Sequence, residues 1–208
     1  MNPKKRVAVL ISGRGSNMTA LIEAAKANDY PAEIVLVVSN QSDAAGLARA
    51  REAAIATAVI DHRPFRDDRE AFERALDDEL RKYRIDVVCL AGFMRLLTPW
   101  FIGRWSGRIL NIHPALLPEF KGLNTHRRAL AAGVKRHGAT VHFVVEETDA
   151  GPVISQQSVP VLQGDTAETL AARVLEIEHR IYPEALRLVA EGRAKFATPQ
   201  PEIKNPRV

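Results

Sequence analysis

The strongest constraint on this chain is the way its apolar pattern changes period. Short continuous runs of Val, Ile and Leu alternate with longer stretches of helical spacing. Val7–Ile11, Ile34–Val38, Thr57–Ile60, Asp86–Ala91 and Arg108–Ile112 read as strands. Ser16–Ala27, a stretch around Asp43–Ala53, and Asp67–Tyr83 read as helices between them, the last with Phe72, Leu76 and Leu80 inward. Runs that are apolar at every position belong to strands buried on both faces, and the intervening helices supply the crossovers that parallel pairing requires.

The second half reads differently. Ala139–Glu146 alternates apolar and polar residues like a half-buried strand, Asp149-Ala150-Gly151-Pro152 is a turn, and Val153–Val161 is a returning strand, which predicts an antiparallel pair. Thr166–Gly192 reads as one long helix opened by a capping box, Thr166-x-x-Thr169 being the weaker match and Asp165-x-x-Glu168 the better one. Pro183 inside it removes the bond to the carbonyl of His179. A short helix after Pro99, bracketed by Trp100 and Trp105, reads as packing. The predicted fold is therefore α/β: a single doubly wound, Rossmann-like, mostly parallel sheet with an antiparallel C-terminal strand pair and a long C-terminal helix. One domain is expected over residues 1–208. It comprises a phosphate-binding half at about 7–105, a catalytic half at about 106–192, and a tail at 193–208 extended by Pro199, Pro201 and Pro206.

Composition narrows the function classes. Apolar residues at 46% and charged residues at 26% exclude wholesale disorder. The net charge of +4 is small, so nucleic-acid binding does not follow from it, although small acidic or phosphorylated partners are compatible. A single cysteine, Cys89, rules out an internal disulfide framework and reads as a small core residue. Five apolar residues, Val7–Ile11, precede Ser12-Gly13, whereas a secretory segment needs about 7–15 and a membrane span about 20. The expectation is a cytoplasmic protein with no membrane partner.

Two segments carry chemistry. The first strand runs straight into Ser12-Gly13-Arg14-Gly15-Ser16-Asn17 and then a helix, the arrangement in which backbone N–H groups at a helix start hold an anion. It lacks the Gly-Lys-Ser/Thr ending of a P-loop and fails the GxGxxG spacing at Met18, so a monophosphate suits it better than a dinucleotide. Ser16 and Asn17 are candidates to cap the helix, and the bland alternative is an ordinary βα turn. The second segment, Asn111-Ile112-His113-Pro114, sits at the carboxyl end of a predicted strand, where open parallel sheets place ligands. Alternation puts Asn111 and His113 on one side, about 6.6 Å apart at roughly 3.3 Å per residue. An amide donor beside an imidazole suits acyl transfer, the first stabilising an oxyanion and the second moving protons; the bland alternative is that His113 caps the strand and Asn111 satisfies turn backbone. If Asp149 folds back to within about 4–6 Å of His113, its charge favours imidazolium and raises the histidine pKa. His126, His137 and His142 match no zinc spacing and read as exposed or internally satisfied, so no metal is expected.

Six stretches together resemble the phosphoribosylglycinamide formyltransferase family: Val9–Asn17, Val87–Arg95, Ile109–Pro118, Gly122–His126, His137–Phe143 and Asp149–Ile154. The likeness runs from about Val7 to Gly192. It implies transfer of a formyl group from 10-formyltetrahydrofolate to the amine of glycinamide ribonucleotide in purine biosynthesis, with no metal and no covalent enzyme intermediate. Carried over by position, Asn111 holds the formyl oxygen, His113 transfers protons and Asp149 polarises His113. Gly15, Ser16 and Asn17 bind the phosphate and Glu178 contacts the same substrate. Arg69, Met94, Arg95, Leu96, Leu97, Val145, Glu146, Glu147 and Thr148 fall at folate contacts. Asn124 stands where the family suggests a histidine. Three other readings compete. A formyltetrahydrofolate hydrolase would use the same trio with water, and is expected to carry an N-terminal domain for which Val7 leaves no room. A transfer-RNA formyltransferase would need a further C-terminal domain. A phosphometabolite-binding module would have no use for the trio. Sequence leaves monomer and homodimer equally open.

Overall fold

The computed structural model describes residues 3–196. Its strands are β1 (Lys5–Ile11), β2 (Ala32–Ser39), β3 (Ala56–Val59), β4 (Val87–Leu90), β5 (Ile109–His113), β6 (Arg136–Phe143) and β7 (Val153–Pro160). Its helices are α1 (Ser16–Ala25), α2 (Ala45–Glu52), α3 (Arg69–Lys82), α4 (Pro99–Arg104), α5 (Thr125–Ala131) and α6 (Ala167–Ala190), with a 3₁₀ turn at Arg63–Phe65. The strands form one sheet in the order β3-β2-β1-β4-β5-β6-β7. The first five are parallel, and β6 and β7 run antiparallel, as expected. The extended tail predicted around Pro199, Pro201 and Pro206 lies outside the described residues.

Both sheet faces are covered, which is why the parallel strands are apolar throughout. On one face Val7, Val9, Cys89, Leu110 and Ile112 pack under α1, α2 and α6; on the other Ala8, Leu10, Val88, Leu90 and Ile109 pack under α3 and α4. Phe72, Leu76 and Leu80 are the buried apolar residues of α3, at the spacing read from sequence. Tyr182 ties α6 to the sheet, its hydroxyl donating to the carbonyls of Leu90 (3.0 Å) and Leu110 (3.2 Å).

The topology decides where a ligand can sit. The chain winds outward from β1 to β3, then returns to lay β4 on the other side of β1. That reversal opens a crevice at the carboxyl ends of β1 and β4. Leu10 pairs with Leu90 and Leu90 with Asn111. Ser12, Gly92 and His113 therefore end three adjacent strands, about 10 Å from first to last at the usual inter-strand spacing.

Three local expectations need correction. β6 is not half-buried: every residue from His137 to Phe143 is buried. The side that reads as solvent-facing is roofed by the loop after β5, with Leu117 N–H donating to Thr140 Oγ1 (3.1 Å) and that hydroxyl donating to the Ala115 carbonyl (2.6 Å). The cap of α6 is Thr166, whose side chain accepts from Thr169 N–H while Thr169 Oγ1 accepts from Thr166 N–H. Asp165 is drawn off instead to Leu162 N–H and the Arg173 guanidinium. Helix α5 was not legible, because its short run Thr-His-Arg-Arg-Ala-Leu-Ala has only two fully buried residues, Thr125 and Ala129.

Candidate active site

At the end of β1, Gly15 takes the left-handed conformation (φ 71°) and forms the N-cap of α1. No side chain caps this helix, which corrects the capping role read for Ser16 and Asn17. The uncapped first turn leaves backbone N–H groups free for an outside acceptor. A Cβ on Gly15 would meet Gly46 Cα at 3.0 Å, so the loop lies directly on the start of α2. Gly46 N–H donates to Gly13 O (3.0 Å) and fixes the loop from below. Gly46 has its own constraint, since a Cβ there would fall 2.5 Å from Ile11 Cδ1. Sequence reading missed this residue; a glycine opening an otherwise helical run was the available signal.

Asn17 turns away from the loop and donates through Nδ2 to Glu178 Oε2 at 2.6 Å. This joins the start of α1 to α6 across 161 residues of sequence and brings Glu178 beside the cradle. Asn17 Oδ1 is buried without a partner. Burial raises the Glu178 carboxyl above the ordinary range, against the Asn17 hydrogen bond.

At the end of β5, Asn111 and His113 share the sheet face of Ile109, and Asp149 reaches His113 from the turn after β6. His113 Nδ1 lies 3.4 Å from Asp149 Oδ2, and His113 Nε2 lies 3.0 Å from the Phe120 carbonyl. The carbonyl can only accept, so Nε2 carries the proton and Nδ1 faces the carboxylate. Asp149 also accepts from Gly122 N–H at 2.8 Å. Phe120, Asn124 and Asp149 all have φ between 51° and 57°, a left-handed strain gathered around one site. Asparagine tolerates that conformation well, which suits Asn124 to the N-cap of α5.

The expected upward shift of His113 is reversed. Burial pushes its pKa down and outweighs the Phe120 carbonyl and the Asp149 charge. For Asp149, burial raises the carboxyl, but the neighbouring His142, the Gly122 N–H hydrogen bond and the nearby His113 prevail and hold it below the ordinary value. At neutral pH the pair is therefore a carboxylate facing a neutral imidazole. The imidazole is ready to take a proton on the nitrogen nearest the negative charge.

His142 joins this group, which the sequence did not reveal. It is 2% exposed and pairs directly with Asn111 across β5 and β6. Its Nδ1 sits 2.8 Å from the Phe143 carbonyl, leaving Nε2 to accept from Asn111 Nδ2 at 3.3 Å. One amide N–H of Asn111 is thereby held, and the other is free. His142 Nε2 is also 3.7 Å from Asp149 Oδ1. His126 and His137 pack edge-to-face beside the same loop (centroids 5.2 Å apart), and neither ring nitrogen of His137 has a partner.

The remaining predicted residues lie on the segment after β4, at the start of α3 and on the turn after β6, with Leu97 packed against the core. Met94 and Leu96 project into solvent at 62% and 64% exposure, unusual for large apolar side chains. Arg95 lies over Phe72 (6.0 Å), which sets the 94–97 segment beside the start of α3, where Arg69 is exposed. Glu73, buried in α3, holds the end of that segment by accepting from Thr98 N–H (2.7 Å) and the Thr98 hydroxyl. Val145 is half-buried, while Glu146, Glu147 and Thr148 are exposed, and Glu147 pairs with Lys121 across the cleft (2.8 Å). Among the described residues no helix is long and apolar enough to cross a membrane.

Comparison with known proteins bears on this geometry. The family described as formyl transferase matches residues 5–186. The phosphoribosylglycinamide formyltransferase of Escherichia coli (strain K12) is 51% identical over 190 residues, covering 91% of this chain and 89% of that protein. The solved phosphoribosylglycinamide formyltransferase from Brucella melitensis is 55% identical with a TM-score of 0.87, covering 93% of this chain and 100% of that one. The trifunctional purine biosynthetic protein adenosine-3 of Bos taurus is 52% identical over 197 residues, yet this chain spans only 19% of its length.

Proposed function

Because this chain belongs to the formyl transferase family, we propose that it transfers a formyl group from 10-formyltetrahydrofolate to the primary amine of glycinamide ribonucleotide. The observation that carries the reading is the convergence of Asn111, His113 and Asp149, from different parts of the chain, at the crevice beside the Gly15 loop. The residues divide by task. The free N–H groups of Ser16 and Asn17 at the start of α1 hold the phosphate, and Glu178, beside Asn17, receives the rest of the ribonucleotide. The exposed apolar wall of Met94 and Leu96, with Arg69, Arg95, Leu97 and the Val145–Thr148 turn, receives the folate. On this reading residues 7–105 supply the phosphate half of one domain and 106–192 the catalytic half.

The donor supplies an electrophilic formyl carbon, and the chain handles the charge that develops on it. Asn111 donates its free amide N–H to the formyl oxygen as that oxygen gains negative charge. His142 keeps the amide turned the right way by holding its other N–H. His113 leaves the Phe120 carbonyl to face the reacting centre with Nε2. With its resting proton moved to Nδ1, Nε2 takes up the amine proton and Asp149, beside Nδ1–H, stabilises the imidazolium. The proton lost by the attacking amine returns to the departing folate nitrogen through this imidazole. Incubating the protein with the ribonucleotide and a formyl-folate substrate, and following folate absorbance, tests the reading. Donor consumption only when the ribonucleotide is present supports transfer. Consumption without it selects hydrolysis, and none at all leaves a binding module.

A further inference from the structure

A hydrogen-bonded line runs along the carboxyl edge of the sheet, outside the group around His113. Ser12, the residue after β1, is its junction. The Ser12 hydroxyl donates to Asn40 Oδ1 at 2.6 Å, and its oxygen accepts from Met94 N–H at 2.8 Å. Ser12 N–H donates to the Gly92 carbonyl at 3.1 Å. Asn40, 2% exposed at the end of β2, in turn meets His62 Nδ1 through both its Nδ2 and its own carbonyl, each at 3.2 Å. His62 lies just past β3. The line thus joins the ends of β3, β2, β1 and β4 in their order in the sheet.

The directions of these bonds give Ser12 its importance. Asn40 Oδ1 can only accept, so it takes the single hydroxyl proton of Ser12 and leaves the oxygen lone pairs facing Met94 N–H. Among the described residues, Met94 N–H is the only backbone N–H from 93 to 97 with a hydrogen-bond partner. This segment carries the exposed Met94 and Leu96, and among the described residues the only other backbone tie at its near end is the Ser12 N–H to the Gly92 carbonyl, one residue before it. Ser12 also opens the phosphate loop, but the loop beyond it has its own anchor in Gly46 N–H.

We propose that Ser12, oriented by Asn40 with His62 behind it, is a positioning residue that sets the 93–97 segment at the right distance from the phosphate loop, and so governs recognition of the formyl donor. This rests on the functional reading above, in taking that segment as the donor's wall. Removing the Ser12 hydroxyl frees the Met94 backbone while leaving Asn111, His113, Asp149 and the Gly46 anchor in place.

The test uses the full chain with Ser12→Ala, Ser12→Thr, Asn40→Ala and the Ser12→Ala/Asn40→Ala double variant. Three readouts are taken: KM for each substrate with kcat, the Kd of a non-transferable deaza analogue of the formyl folate by fluorescence, and Tm. Ser12→Ala is expected to raise the donor KM and the analogue Kd about three- to tenfold, the effect of one hydrogen bond, with ribonucleotide KM within twofold. Ser12→Thr keeps the hydroxyl and is expected to restore both. Asn40→Ala is expected to act in the same direction, and the double variant to be no worse than the more impaired single, because the two residues act through one bond. Analogue Kd within 1.5-fold of the parent in Ser12→Ala overturns the proposal, as does an equal rise in both KM values. A parent protein that binds the analogue but transfers nothing defeats the functional reading alone, and the Kd series still decides the role of Ser12. A parent that does not bind the analogue overturns both.

Discussion

Replacing Asp149 by Asn removes a charge while preserving the shape around it. The carboxylate lies 3.4 Å from His113 Nδ1 and accepts from Gly122 N–H at 2.8 Å. An asparagine can keep the second contact through its oxygen, so the loop remains anchored. What is lost is the attraction between a negative charge and the proton that His113 takes up at Nδ1. At an effective dielectric of about 20, a full charge pair at that distance has an upper bound of about 5 kcal/mol, and carboxylate–cation neighbours typically move a pKa by 1–3 units. At about 1.4 kcal/mol per unit, Asp149→Asn is expected to lower kcat at pH 7 by about 10- to 1000-fold. His113 already titrates below its ordinary value because burial outweighs the carboxylate, so loss of the carboxylate moves it further down. The acidic limb of the pH–rate profile is then expected to shift to lower pH. The contacts on α1 and α6 are untouched, which keeps ribonucleotide KM within about threefold, the effect of less than one hydrogen bond. Steady-state rates from pH 5.5 to 9, with the His113 ring titrated by NMR, measure both effects. A variant with kcat within threefold of the parent and an unmoved profile would refute the role given to this pair.

Other perturbations test separate parts of the account. Asn111→Ala is expected to lose about 10²–10³ in kcat with an unchanged melting temperature, as for other lost oxyanion donors; calorimetry beside steady-state kinetics checks it. Gly15→Ala places a Cβ 3.0 Å from Gly46 Cα at φ 71°, so ribonucleotide KM should rise with a stability loss of about 1–2 kcal/mol, while the donor analogue still binds; isothermal titration with each ligand separates the two. Burial holds His137 down to about 4 against an ordinary 6.5. A histidine with a depressed folded pKa takes up protons first in the unfolded chain, so its burden on stability is absent above about pH 6.5, grows as pH falls and levels off below about 4, reaching about 3 kcal/mol. His137→Phe should flatten urea-unfolding stability between pH 4 and 6.5, and an unchanged slope would place that dependence elsewhere.

Why some of this was legible and some was not has a physical basis. The strands of the parallel sheet announce themselves because burial on both faces demands unbroken apolar runs such as Val7–Ile11. The loop–helix junction at Gly15 follows from local chemistry, as does the pairing of Asn111 and His113 on one strand face. His142 was missed because its meaning lies in register. It bonds Asn111 only because β6 returns antiparallel and sets the two residues opposite each other. Phe120 acts through its backbone carbonyl, which any residue type would present. The polar side of β6 read as solvent-facing because the loop that covers it belongs to another part of the chain. The sign of the His113 shift was read wrongly for the same reason: a charged neighbour is visible in a motif, but the depth of burial opposing it is not.

The central claim concerns one point in space, where an amide, an imidazole and a carboxylate surround the carbon being transferred. A crystal structure of the protein with the ribonucleotide and a non-transferable formyl-folate analogue measures it directly. The formyl-equivalent oxygen is expected within about 2.7–3.1 Å of Asn111 Nδ2, and His113 Nε2 should have left the Phe120 carbonyl to face it, with the phosphate at the start of α1. Both ligands bound in full, with that oxygen more than about 6 Å from Asn111 and His113 still on Phe120, well beyond hydrogen-bond reach, would contradict the account.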